Sequence, residues 1–223
     1  MTKKLCIIGG MGPLATQECY RRIIEFSPAT RDQEHIETLI ISDTQIPDRT
    51  ESILKNDKTK LLDRFKRNFN VAENWGADLV IIPCNTSHYF MDEFKKITNI
   101  KIIDMVEETA KKANKNSYLF ATKGTYMSRV YDKRFEDNNK LILPMKEEFK
   151  EISNETIYKI KKGVKPLLKN FPELNKIINS LPKDTSIILA CTELSLLDIE
   201  GANVIDAMDI LCKKAVEMAY ETD

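Results

Sequence analysis

Six short apolar runs, most of them rich in isoleucine and valine, punctuate the chain, and stretches of helical periodicity separate most of them. They are LCIIG at 5–9, TLIIS at 38–42, LVIIP at 79–83, KIIDM at 101–105, YLFAT at 118–122 and SIILA at 186–190. Continuous runs of this length read as strands buried on both faces. Alternated with helices, they place the chain in the α/β class with a mainly parallel sheet. At 223 residues there is room for one large domain or for two lobes of about 100 residues, each with its own core.

Two of the runs lead into cysteines. In LVIIPCNTSHYF the thiol is Cys84, and in TSIILACTELSLL it is Cys191. Each is followed by polar residues and a helix-like stretch, so both thiols belong at carboxyl ends of strands, the edge where open α/β sheets bind ligands. The recurrence of strand, thiol, polar residue and helix implies two related halves. A boundary near Met105 gives a first lobe of residues 1–105, completed by the amphipathic helix of 207–223, and a second lobe of 106–206. The stretch from Met145 to Lys183 carries Pro166, Pro172 and Pro182 and helical spacing without a convincing strand, and reads as a helical insert beside the sheet.

Composition narrows the partners. Lysine and arginine total 34, matched by 34 aspartates and glutamates, so no basic field invites nucleic acid or an anionic membrane. A small molecule or a protein is the expected partner. Five cysteines, Cys6, Cys19, Cys84, Cys191 and Cys212, are odd in number and none has CxxC spacing, which fits a reducing cytoplasm and no metal site. The apolar stretch in MTKKLCIIGGMG is too short for a signal peptide, and no run approaches the roughly 18 residues of a membrane span.

The turn after the first run, with Gly10, Gly12 and Ala15, fits a dinucleotide-binding form, and Asp43 ends the second run where a ribose-binding acid would sit. Asp43 lies too far along, and Pro13 removes one backbone donor at the helix start. Gly9, Gly10 and Gly12 read instead as a floor where backbone approaches a small anionic ligand, or as a plain tight turn.

Taken in order, GGMGPLAT at 9–16, IPDRT at 46–50, PCNTSHYF at 83–90, ATKGTYMS at 121–128 and ACTEL at 190–194 resemble the blocks of the aspartate/glutamate racemase family, across nearly the whole chain. The resemblance implies two pseudo-symmetric α/β lobes with the active site in the cleft between them, no cofactor and no metal, and a homodimer. It also implies that Cys84 and Cys191 exchange the substrate's α-proton. Chemistry agrees, since inverting a carbon needs one base on each face, and thiolates can be stabilised by helix N-termini and polar neighbours.

By the same resemblance, Arg49 and Lys161 hold the distal carboxylate of an acidic amino acid, with Lys162 the alternative to Lys161. Asp48 and Glu193 stand beside the cysteines, where they orient or relay protons. Asn85, Thr86 and Thr192 follow the cysteines and suit an α-carboxylate; Thr125 and Met11 match further substrate-binding positions, Thr125 being equally suited to cap the next helix. Glutamate racemases, distantly similar, carry histidine where this chain has Glu193, and aspartate and serine in the first glycine loop. Both departures favour the aspartate branch. His88 reads as capping or packing, and Cys6, Cys19 and Cys212 as core. The expected activity is cofactor-independent racemisation of aspartate, with glutamate also possible; the alternatives are an isomerase or decarboxylase of another small dicarboxylate, or an amino-acid sensor.

Overall fold

The computed structural model of the chain describes residues 2–197, 199 and 203–221. Two four-stranded sheets carry it, each wholly parallel. The first contains β1 (Leu5–Gly9), β2 (Thr38–Ser42), β3 (Leu79–Ile81) and β4 (Lys101–Ile102) in the order β2-β1-β3-β4. The second contains β5 (Asn116–Ala121), β6 (Leu141–Ile142), β7 (Ser186–Ala190) and β8 (Val204–Asp206) in the order β6-β5-β7-β8. The two orders are identical when the elements of each half are counted from its own first strand, so β3 and β7 occupy equivalent places.

Period-two alternation builds the layers. Leu5 and Ile7 of β1 face α1 (Pro13–Phe26) and α10 (Ala207–Tyr220), while Cys6 and Ile8 face α3 (Thr59–Trp75) and α4 (Met91–Ile97), where Phe65, Phe69 and Phe94 fill the layer. In the second sheet Leu119, Ala121, Ile188 and Ala190 face α5 (Met105–Lys112) and α7 (Asp132–Asp137), and Phe120, Ile187 and Leu189 face α8 (Glu147–Lys161) and α9 (Pro172–Ser180). The central strands β1 and β7 are buried at every residue, which is why they show as unbroken apolar runs.

The two halves exchange helices. Asp104, just past β4, caps α5 by accepting from the Val106 and Glu107 amides, and α5 packs on the second sheet. Asp206, ending β8, caps α10 by accepting from the Met208 amide, and α10 packs back on the first sheet. Cys19 of α1 and Cys212 of α10 meet there, their sulfurs 3.6 Å apart. Burial pushes the Cys6 thiol up to about 12, so it is a core group with little thiolate character.

Several expectations shift. The stretch from Met145 to Lys183 is no insert: α8 and α9 form the crossover that a parallel β6-to-β7 connection requires. The third and fourth runs are shorter strands than their apolar lengths predict, because Ile82 and Pro83 already lead into the site and Met105 opens α5. Edge strands β6 and β8 are additional. Among the described residues no helix is long and apolar enough to cross a membrane.

The glycine turn is built for close packing. Gly10 has φ +88°, and a Cβ there would lie 2.4 Å from the Asp43 carbonyl carbon; one on Gly9 would lie 2.2 Å from Thr16 Oγ1. The Gly10 amide donates to that same hydroxyl at 2.8 Å. The Asp43 carboxylate accepts from Arg64 and Asn68 and from the Gln45 amide, leaving it committed to the protein.

Gly10→Ala should therefore destabilise the fold by about 3 kcal/mol or more, through both strain and backbone collision. Gly76→Ala, at the left-handed end of α3 with open space around its Cβ position, should cost only about 1 kcal/mol. Urea unfolding of the two variants checks the contrast; equal losses would show that the Gly10 turn can yield.

Candidate active site

Both thiols sit in loops that leave equivalent strands at their carboxyl ends. Cys191 directly follows β7, and Cys84 follows β3 after Ile82 and Pro83, opening a 3-10 turn over Asn85–Phe90. Each is 7% exposed. They line one small cavity together with Met11 of the glycine turn, Asp48 and Arg49 at the start of α2 (Arg49–Leu54), and Lys161 at the end of α8. Asn85, Thr86, Thr192 and Glu193 complete the part foreseen from sequence. The free volume among them is only about 20 Å³, room for about one water.

The loops of the two halves are laced reciprocally. Thr86 Oγ1 lies 3.1 Å from Thr122 Oγ1 and 2.8 Å from Thr125 Oγ1, and Thr192 donates to the Pro83 carbonyl at 3.3 Å. His88 fastens the first loop from below. The Met105 amide donates to its Nε2 at 3.1 Å, which leaves Nδ1–H to donate to the Cys84 carbonyl at 3.0 Å. That imidazole is a strut for the loop, in keeping with a packing role.

The charged groups form a chain. The Cys191 thiol donates to Glu193 Oε2 at 3.0 Å, and Lys161 Nζ reaches Glu193 Oε1 at 2.8 Å and the Met11 carbonyl at 3.2 Å. Burial, and then the Glu193 charge, push the Cys191 thiol well above its ordinary value, with Lys161 opposing. Burial works against the Lys161 ammonium, yet the Glu193 charge beside it outweighs burial and raises its pKa. Lys161 lines the cavity at the end of the helix, its side chain 25% exposed, and Lys162 closes the helix beyond it.

Two donors in the cavity lack acceptors. Arg49 spends its terminal nitrogens on the carbonyls of Ile46, Pro47 and Met11, but its buried Nε–H has no partner. Asn85 takes the Tyr131 hydroxyl on Oδ1, and its buried Nδ2 has none. Buried donors without partners cost about 1–3 kcal/mol each, and both point to an anionic or carbonyl ligand.

Asp48 shares the cavity with both cysteines and also caps α2, its carboxylate accepting from the Glu51 amide at 2.9 Å. Other positions differ from expectation. Thr125 lies behind the cavity wall in the threonine cluster, and the residue that caps α6 (Lys123–Ser128) is Thr122. The glycine turn presents a carbonyl, that of Met11, to the two cations, and so is no anion floor at that point. Thr50, Thr122 and Tyr158 line the cavity and escaped sequence reasoning. Tyr158 precedes Lys161 by three residues on α8 and so shares its face; Thr122 immediately follows β5, at the same sheet edge as the thiols. Thr50 is pressed against Gly124, where a Cβ would lie 2.3 Å from its hydroxyl.

A family model described as Asp/Glu/Hydantoin racemase matches residues 8–215. The broad specificity amino-acid racemase RacX of Bacillus subtilis (strain 168) is 25% identical, over 97% of this chain and 99% of its own. An aspartate racemase of Picrophilus torridus superposes with a TM-score of 0.83 at 28% identity, covering 97% of this chain and 94% of that one. An aspartate racemase homologue from Pyrococcus horikoshii OT3 gives 0.77 at 25%, covering 98% and 100%.

Glu193 should govern the protonation of Cys191. Its carboxylate repels a neighbouring thiolate, so Glu193→Gln should move the pH midpoint of Cys191 alkylation by iodoacetamide downward, followed by peptide mass mapping. An unmoved or raised midpoint would separate the two groups electrostatically.

Proposed function

This chain belongs to the Asp/Glu/hydantoin racemase family and is an amino-acid racemase, and on that premise we propose that it racemises aspartate, and glutamate more slowly, by two-base proton transfer between Cys84 and Cys191. The observation that carries the reading is the convergence on one cavity of two thiols from equivalent strands with unpartnered donors of Arg49 and Asn85. In the proposed complex Asn85, with Thr86 and Thr192 nearby, holds the α-carboxylate, and Arg49 with Lys161 holds the distal one.

Each turnover begins with one thiol protonated and the other ionised. The thiolate takes the proton from Cα on one face, the thiol delivers its own to the opposite face, and the enzyme ends with the roles exchanged. In the resting site the Cys191 thiol holds its proton in a hydrogen bond to Glu193. Because the α-proton is a very weak acid, fixed donors around the carboxylates must offset the developing negative charge. No electron sink enters the scheme, which therefore needs no cofactor.

Preference for aspartate is supported by the two cations and the small cavity. One methylene changes affinity by only about 1–3 kcal/mol, so glutamate should be discriminated against rather than refused. A relative named for broad specificity supports a wider range still. All five cysteines are free thiols, which supports a reducing cytoplasm as the compartment; a homodimer remains part of the proposal.

Proton NMR of the protein with L-aspartate or L-glutamate in deuterated buffer, combined with chiral analysis, tests the reading. Loss of the α-proton signal should accompany appearance of the D-enantiomer. Cys84→Ser and Cys191→Ser should each lower the rate by about 100-fold or more, while Cys6→Ser stays near wild type. Equal rates in all three variants would sink the two-thiol scheme.

A further inference from the structure

Lys161 has two partners competing for one ammonium. In the free protein it is paired with Glu193 at 2.8 Å and leans on the Met11 carbonyl at 3.2 Å. The same Glu193, through its other oxygen, accepts the Cys191 thiol at 3.0 Å. With free volume of only about 20 Å³, an amino acid enters only if side chains in the cavity move. Lys161, long, flexible and at the exposed end of α8, is the one with somewhere to go.

We propose that Lys161 is a gate worked by the substrate's own side chain: a distal carboxylate draws the ammonium off Glu193, and this releases Glu193 to accept the proton of Cys191. The inference rests on the racemase reading above and deepens it. While Lys161 sits on Glu193 at 2.8 Å, the ammonium occupies one carboxylate oxygen and its charge opposes transfer of the Cys191 proton to the other. Once the ammonium is engaged by substrate, the Cys191 S–H proton passes to Glu193 Oε2, leaving a thiolate and a neutral carboxylic acid with no change in total charge. The thiolate then takes the α-proton of whichever enantiomer presents it on that face while Cys84, protonated in this form, delivers its own to the other face; on product release the Glu193 proton passes back to the thiolate left on Cys84, and the starting charges are restored. An acidic side chain is thereby read in kcat as well as in KM, and a neutral side chain of the same shape binds without opening the gate. Cys84, whose second following residue is Thr86, has no carboxylate at the corresponding position, so the device acts on one face only.

The test compares aspartate with asparagine, started separately from the L and D forms, by α-proton exchange in deuterated buffer with wild type, Lys161→Met and Lys161→Gln. Wild type should exchange aspartate with a higher kcat than asparagine from the enantiomer facing Cys191. Both variants should shrink that kcat ratio at least about fivefold, by raising exchange of asparagine relative to aspartate, while KM for aspartate rises. A wild-type kcat equal for the two amino acids, or a ratio unchanged in the variants from both enantiomers, would overturn the gate and leave Lys161 as a simple carboxylate ligand. Wild-type silence toward both amino acids would overturn the racemase reading itself, and is seen before any variant is made.

Discussion

One buried guanidinium joins the halves of this molecule beneath its site. Arg22, on α1 and 7% exposed, donates to Glu18 at 2.8 Å, Asp206 at 2.6 Å, Asp209 at 2.7 Å and the Ser195 carbonyl at 2.5 Å. Asp206 is also the cap of α10 and the acceptor for Ser195 Oγ at 2.6 Å. The first lobe's leading helix, the returning C-terminal helix and the loop that carries Cys191 are thus held through one cation. Removing such a centre would leave three part-buried acids and the Ser195 carbonyl without their shared donor, at a cost of about 1–3 kcal/mol. The facing of the two thiols depends on that join as much as on the strands that bear them.

How far the amino-acid sequence discloses this depends on where each residue spends its side chain. β1 and β7 are readable because both faces are covered, so nothing polar interrupts them. β6 is only Leu141–Ile142, and β8 is half-buried along its length; edge strands this short carry no distinctive period. The crossover through α8 and α9 reads as an insert because its apolar stripe faces a sheet that sequence alone cannot position. Cys84 and Cys191 are evident from the strand ends that precede them. Tyr158 is hidden by a helical period that serves core and cavity alike, and the role of Gly10 depends on the Asp43 backbone pressed against it, a contact between distant residues.

The pseudo-symmetry has a chemical limit. Strand order and helix exchange repeat across the halves, but the second residue after the thiol does not. Thr86 knits the wall, whereas Glu193 places a charge against Cys191. The frame supplies two equivalent positions and the local side chains make them unequal, so in the proposed reaction the two faces of one carbon would meet thiols in different surroundings. Equal equilibrium populations of the enantiomers constrain the ratio of kcat/KM in the two directions, and leave kcat and KM free to differ between them.

Opening such a site is cheapest at its periphery. The thiol loops are anchored by the threonine cluster, by His88 and through Arg22, and none of those contacts can loosen without exposing buried polar groups. The cations are held differently: Arg49 begins the short helix α2, and Lys161 ends α8 just before Gly163, which turns the chain at φ +96° with open space around it. Gly163 donates to the Ile160 carbonyl at 2.9 Å and Val164 to that of Lys159 at 3.1 Å, a helix end that can swing with few side chains to carry along. On the proposed scheme, thiols fixed in rigid loops and cations placed at helix ends suit a reaction in which the position of the proton must be kept and the charge around it must change.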